Sequence, residues 1–346
     1  MTQHVVLVTG ATGFIARHIV LQLLEAGHSV VGSVRSLSSE TELRAALAEK
    51  LADPATLDRL RLVELDMDAN DGWMEAMEGV DVVMHTASPV PDGKGEIGED
   101  FITTAIGGTL RACKAAYASG IRRIIVTSSI AAIMGAPGHD NGEDFDESDW
   151  SDPNRPNANN YSKSKTLSER ALWEWVETEA PEAKVTTINP AFVMGPPLSK
   201  GKVPSSLNIV ARLLDGVDPG LPNVNLPIVD VRDAARMHVL AMDLPVTEGK
   251  RYICSESQMN WIEIAELLRE TCPDRPVPAR KVPKLMLKLA GVFRPEARAM
   301  AAGWGKSYPM SNRRARADMG MEFISAPESI RETALDLVAK GMLEKP

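Results

Sequence analysis

Residues 4–27 read as a strand, a glycine turn and a helix in immediate succession. The apolar, β-branched run His4-Val5-Val6-Leu7-Val8-Thr9 leads into Gly10-Ala11-Thr12-Gly13-Phe14-Ile15-Ala16. An amphipathic stretch through Leu24 follows and stops at Gly27. In this setting Gly10 permits the tight turn, Gly13 lets the backbone approach a pyrophosphate, and the small Ala16 allows close helix-to-strand packing. The phosphates then sit at a helix N-terminus, where N–H groups and the helix dipole favour negative charge. A glycine pattern alone has low specificity. Its place between a strand and a helix predicts a dinucleotide site, the alternative being a turn that only packs tightly.

The next elements repeat the strand-helix alternation. Ser29–Val34 predicts a second strand, ending in Arg35 where an acidic residue would grip a free ribose 2′-hydroxyl. An arginine there accommodates a 2′-phosphate, so NADP(H) is expected over NAD(H), with NAD(H) possible and a plain strand-end arginine as the alternative. Leu62–Asp66 predicts a strand with Asp66 at its carboxyl end, either bonding an adenine or solvated. Asp81–Thr86 predicts a buried parallel strand, with His85 packed in it and Ala87-Ser88-Pro89 looping from its carboxyl end, where ligands collect in open α/β sheets. A helix over 100–119 precedes Arg122–Ser129, a strand that delivers hydroxyls to the same edge. The fold expected is α/β, a doubly wound and mostly parallel Rossmann-type sheet.

Tyr161 and Lys165 lie four residues apart at the start of a predicted helix, on one face and one turn from each other. A nearby cation favours phenolate, and bringing a phenol from about 10 to near 7 takes roughly 4 kcal/mol of differential interaction. The bare spacing also fits any surface tyrosine with an exposed lysine. After Lys184–Ile188, another strand, the chain turns proline-rich and then largely helical. Residues 1–190 are expected to form the nucleotide-binding domain with the catalytic residues. Residues 191–346 are expected to be a smaller, helix-rich substrate-binding region, with 228–254 returning to the main domain.

Composition narrows the partners. The net charge of −9 and pI near 5.3 argue against a nucleic-acid surface. The run Asn312–Arg316 reads as the only basic cluster, a solvated helix face. The acids between Asp140 and Asp149 sit among turn residues and read as a solvated loop, and the histidines lack metal-ligand spacing, so no metal is expected. Cys113, Cys254 and Cys272 are widely spaced and read as buried thiols of a reducing compartment. With no apolar run long enough to span a membrane and a strand starting by Val5, a cytoplasmic protein without a membrane partner is expected.

Taken together, Gly10/Gly13/Ala16, Thr127-Ser128-Ser129 and Tyr161/Lys165, in this order on alternating strands and helices, resemble the extended short-chain dehydrogenase/reductase family. Val34-Arg35, His85–Pro89, the run Tyr161–Glu169, Asn189-Pro190, Val231-Arg232-Asp233 and Arg251–Cys254 resemble its dihydroflavonol 4-reductase and aldehyde/ketone reductase branch. The resemblance implies a catalytic set of Ser129, Tyr161 and Lys165, with Ser128 as the other candidate serine. It also implies cofactor contacts at Gly10, Thr12, Gly13, Phe14, Ile15, Arg35, Asp66, Ala87, Lys165, Pro190 and Val193. The activity implied is NADPH-dependent reduction of an aldehyde or ketone. At the tyrosine this chain has Asn157-Ala158-Asn159-Asn160-Tyr161 in place of the Asn-Trp-Tyr-Cys-Tyr signature of plant cinnamoyl-CoA reductases, so a CoA thioester is not expected.

An apolar substrate wall is expected from Val90, Ile133, Met134, Phe192, Leu198 and Ile209, which suits a hydrophobic or aromatic carbonyl, although each equally suits the core. The rivals are a nucleotide-sugar epimerase or dehydratase with retained NAD, and a dinucleotide-sensing protein without turnover. A monomer and a homodimer both remain open.

Overall fold

The computed structural model describes residues 2–89, 98–139, 142–155 and 158–343. Its first half alternates regularly: β1 (Val5–Thr9), α1 (Phe14–Glu25), β2 (Ser29–Val34), α2 (Glu40–Ala48), β3 (Leu60–Glu64), α3 (Trp73–Ala76), β4 (Val82–His85), α4 (Asp100–Ala118), β5 (Arg123–Thr127), α5 (Asn160–Thr178) and β6 (Lys184–Pro190). The second half contains β7 (Phe192–Met194), α6 (Asn208–Leu214), β8 (Asn225–Asp230), α7 (Val231–Asp243), β9 (Lys250–Cys254), β10 (Ser257–Asn260), α8 (Trp261–Thr271), α9 (Lys284–Ala290), α10 (Pro295–Ala302), α11 (Arg313–Met319) and α12 (Ala326–Ala339).

Seven parallel strands form one sheet in the order β3-β2-β1-β4-β5-β6-β9. Both faces are covered, which explains the continuous apolar runs in the sequence. Along β1, Val6 and Val8 enter one core while Leu7 between them enters the other, the alternation a pleated strand imposes. One core holds Ile19 and Leu23 of α1 with Ala234 and Met237 of α7. The opposite one holds Ala112 and Ala116 of α4 with Leu172 and Trp175 of α5. This is the doubly wound arrangement expected, and its winding reverses between β1 and β4.

A second sheet of three strands, β10-β8-β7, pairs β7 with β8 in parallel and β8 with β10 antiparallel. Its core draws Leu213 and Leu214 from α6, Ile264 and Leu268 from α8, and Ile330 and Leu337 from α12. Within residues 228–254 the chain serves both layers: β8 lies in the small sheet, α7 packs on α1, and β9 pairs with β6 at the edge of the large one. The three cysteines are buried free thiols.

Candidate active site

The carboxyl ends of β1, β2, β4, β5 and β6 share one edge of the parallel sheet. Gly10 follows β1 with φ +66°, and a Cβ added there would lie 3.1 Å from Ala87 Cα in the loop after β4. The two loops therefore touch at the point where the winding reverses, the position at which such sheets take ligands. Gly13 caps α1 without a side-chain hydrogen bond, and the helix has no acidic residue in its first turn. Its first N–H groups have no intrahelical acceptors. A Cβ on Gly13 would come within 3.1 Å of Gly10 O. A bare helix N-terminus behind a floor that excludes side chains fits a dinucleotide pyrophosphate. Thr12, Phe14 and Ile15 are all partly exposed around it.

Arg35 is exposed just past β2 and has no ion-pair partner among the described residues. The third strand ends at Glu64, two residues earlier than the sequence suggested. Leu65 still donates to Val34 O at 3.0 Å, but Asp66 then turns away, its carboxylate accepting from Asp68 N at 2.9 Å.

Thr9 ties the two central strand ends together. Its hydroxyl meets His85 Nδ1 at 2.9 Å and accepts from the backbone N–H groups of Thr86 and Ala87, each at 3.0 Å. Burial, helped by nearby Lys165, pushes His85 down to about 3, so the ring is neutral. The next residue in this loop, Ser88, accepts from Lys165 Nζ at 2.9 Å.

Helix α5 starts cleanly because the Asn159 side chain accepts from Ser162 N at 2.7 Å. This places Tyr161 in the first turn, its phenol beside the Ser129 side chain. Ser129 is buried just beyond β5 and also accepts from Ala131 N at 3.1 Å. Its neighbour Ser128 points elsewhere and donates to Glu169 Oε2. The Tyr161 phenol is raised above its ordinary value, because burial outweighs the opposing Ser129 hydrogen bond. Sequence reasoning expected Lys165 to lower it. In the structure that ammonium is turned to Ser88, and burial pushes Lys165 itself down to about 8 against the upward pull of Glu169.

Glu169, one further turn along α5, organises the region behind these groups. Its carboxylate accepts from Thr187 Oγ1 at 2.9 Å, Asn189 Nδ2 at 2.8 Å and Arg251 Nε at 2.8 Å, as well as from Ser128. Burial pushes Glu169 up, but Arg251 and these hydroxyl donors hold it below the usual carboxylate range. Arg251 stacks on Trp150 at 3.6 Å and donates to the backbone oxygens of Glu147 and Asp149. A cavity of about 10 Å³ bounded by Ser88, Ser128, Lys165 and Glu169 leaves space for about one water.

The remaining predicted positions divide by burial. Pro190 and Val193 are buried beside the sheet edge, as are Ile133 and Leu198 in the core shared with α1. Met134 packs at the rim of that core, while Phe192 and Ile209 lie partly exposed against the core of the small sheet. Val90 and Asp140 lie outside the described residues. The acidic loop is less solvated than its composition suggested: Glu147 is buried, accepts from Ile253 N at 3.1 Å and pairs with Arg314 at 3.6 Å. That second contact also takes Arg314 out of the supposed solvated basic run.

Sequence reasoning overlooked Thr9, Ser88 and Glu169. The strand-end hydroxyl of Thr9 was visible, but its partners lie 76 to 78 residues away.

Residues 6–254 match the NAD dependent epimerase/dehydratase family. The chain belongs to that family, the extended short-chain dehydrogenases/reductases. It is 34% identical over 346 residues to cinnamoyl-CoA reductase 1 of Petunia hybrida, covering 99% of this chain and 94% of the relative. It is 36% identical over 277 residues to tetraketide alpha-pyrone reductase 2 of Arabidopsis thaliana, covering 78% and 83%. Among solved structures, yeast methylglyoxal/isovaleraldehyde reductase Gre2 complexed with NADPH superposes with a TM-score of 0.80 at 26% identity, over 98% of this chain and all of that one. The superposition with Gre2 covers nearly the whole chain, so the likeness in fold extends beyond the parallel sheet into the C-terminal half.

Proposed function

We propose that this chain is an NADPH-dependent reductase of an aldehyde or ketone, with a hydrophobic or aromatic carbonyl as its substrate. The observation that carries this reading is the placement of Tyr161 beside Ser129 at the sheet edge, with Lys165 one turn on and the glycine cradle beside it. Gly10, Thr12, Gly13, Phe14, Ile15 and Ala87 would hold the pyrophosphate side, Arg35 the 2′-phosphate, and Lys165, Pro190 and Val193 the nicotinamide side. When bound, NADPH supplies the hydride for the carbonyl carbon.

The chain's own residues manage the oxygen. Ser129 orients the carbonyl by hydrogen bonding to it, and Tyr161, kept protonated by burial, gives its phenolic proton to that oxygen as the alcohol forms. Lys165, once released from Ser88, stabilises the phenolate left behind. Ser129 is favoured over Ser128 because Ser128 spends its hydroxyl on Glu169. Met134, Phe192 and Ile209 retain exposed surface with which to meet an apolar substrate, with Ile133 and Leu198 packed as buried residues of the main core. Residues 191–227 and those after 254 are read as the main substrate-covering region.

The test is NADPH and NADH consumption against a panel of aliphatic and aromatic aldehydes, ketones, a dihydroflavonol and a cinnamoyl-CoA thioester. Turnover with NADPH that falls about 10²- to 10⁴-fold in Tyr161→Phe, with cofactor affinity retained, is expected. Protein purified with tightly held NAD⁺ and inert toward every carbonyl would overturn the reading in favour of an epimerase. Faster turnover of the thioester than of the free carbonyls would move the substrate class.

A further inference from the structure

Five of the eleven large hydrophobic side chains left exposed among the described residues fall between positions 285 and 293: Leu285, Met286, Leu289, Val292 and Phe293, the last 88% exposed. The surrounding stretch has an unusual alphabet. From Pro276 to Arg294 there is no acidic residue and no Ser, Thr, Asn, Gln, His or Tyr; only apolar residues, proline, glycine and five cations occur. Those cations, Arg280, Lys281, Lys284, Lys288 and Arg294, are all exposed, and none has an ion-pair partner among the described residues. They stand in a chain whose net charge is −9.

The fold holds this stretch in place. Leu221 N donates to Arg280 O at 2.8 Å, and Val282 N donates back to Leu221 O at 2.9 Å. Leu287 points inward to a small core with Val282, Ala297 and Ala301. With Leu287 anchored, the remaining apolar side chains of α9 and the turn after it are left outward, at spacings of one and two helical turns, with Lys284 and Lys288 beside them.

We propose that residues 276–294 form a docking face for an anionic membrane surface. Leu285, Met286, Leu289, Val292 and Phe293 enter the headgroup boundary, and the five cations meet lipid phosphates. This combination of an apolar face with flanking lysines is what interfacial segments use, and lysine stems can lie along apolar surface while their ammonium groups stay wet. A protein partner suits the stretch less well. Specific protein interfaces carry about one hydrogen bond per 100–200 Å², whereas the side chains here provide donors only from cations and no acceptor. The proposal does not rest on carbonyl reduction. No helix among the described residues is long and apolar enough to cross a membrane, so the association is peripheral.

The experiment is co-sedimentation of the full chain with phosphatidylcholine vesicles, with and without phosphatidylserine, beside sedimentation velocity without lipid. The expected result is binding to the anionic vesicles alone, weakened by added salt. Binding should fall at least about tenfold in Lys284→Glu/Lys288→Glu, and comparably in Leu289→Ser/Phe293→Ser, with melting temperature unchanged in both. Absence of binding to anionic vesicles, or binding that neither variant weakens, overturns the proposal. So does a lipid-free dimer that Leu289→Ser/Phe293→Ser dissolves while the parent ignores vesicles, which would assign the face to a second copy.

Discussion

Charges in this molecule have two opposite environments. Glu169 and Arg251, 2% and 7% exposed, are enclosed and saturated: the carboxylate has donors from Ser128 just past β5, from β6 and from β9, and the guanidinium has a carboxylate, an indole face and two backbone oxygens. Arg35 and the five cations of 276–294 are exposed with no ion pair among the described residues. Desolvation explains the first group, because a buried charge persists only when matched. No ion pair among the described residues engages the second group, which leaves those charges open to something that arrives from outside. Lys165 stands between the two, buried, its ammonium with one hydrogen-bond partner among the described residues, Ser88.

The sharpest way to break this contrast is Glu169→Ala. It leaves Arg251 enclosed and unmatched, and should cost about 3–5 kcal/mol in urea unfolding; a loss under one would show that the cluster is wetter than its burial indicates. The pH dependence has a definite sign. Glu169 is held below its ordinary 4.5, so its contribution is complete above that value and disappears as pH falls through the lowered one. Comparing the parent with Glu169→Gln at neutral and acid pH measures it.

Lys165 comes next. With an ordinary value of 10.5 and about 8 when folded, the native state binds fewer protons than the unfolded chain across that interval. Stability should therefore rise from pH 8 to 10.5, by up to roughly 3 kcal/mol at about 1.4 per unit. Lys165→Met should abolish the rise in a pH series of unfolding curves. For the outer group, Arg35→Ala should raise the KM for NADPH roughly 10- to 100-fold while leaving that for NADH nearly unchanged, the worth of a charge-assisted contact. An equal effect on both cofactors would mean that Arg35 supports the loop and not a phosphate. The smallest effect belongs to Arg280→Glu, which should leave the thermal midpoint unchanged within error, since no partner is lost.

Much of the large sheet was legible because strands buried on both faces leave uninterrupted β-branched runs, and because Gly10 and Gly13 sit where backbone must pass close to backbone. Tyr161 and Lys165 were legible from helical spacing. What lay beyond reach depends on distant chain segments. Glu169 entered the reading only as the end of the Tyr161–Glu169 run, since nothing near it in sequence announces Arg251. Glu147 looked solvated because turn residues surround it locally, while its burial comes from β9 and α11. The Lys165 charge was rightly placed on the tyrosine's helix face, but its direction is set by Ser88, in a loop 77 residues earlier. The cations of 276–294 escaped notice because leucine and valine separate most of them, so no run of like charge forms.

The position of β9 at the sheet edge also sets an order in time. Arg251 follows Glu169 by 82 residues, which at 5–20 residues per second takes roughly 4 to 16 s of synthesis. For most of that interval a nascent chain holding β1 to β6 has the tyrosine, the lysine and both serines, yet it lacks the guanidinium that neutralises the carboxylate behind them. The helix carrying the proposed chemistry is thus stabilised late, by a strand that arrives only after the small sheet's β7 and β8. A ribosome stalled before Arg251 emerges would display the proposed catalytic helix with its inner carboxylate still without that guanidinium.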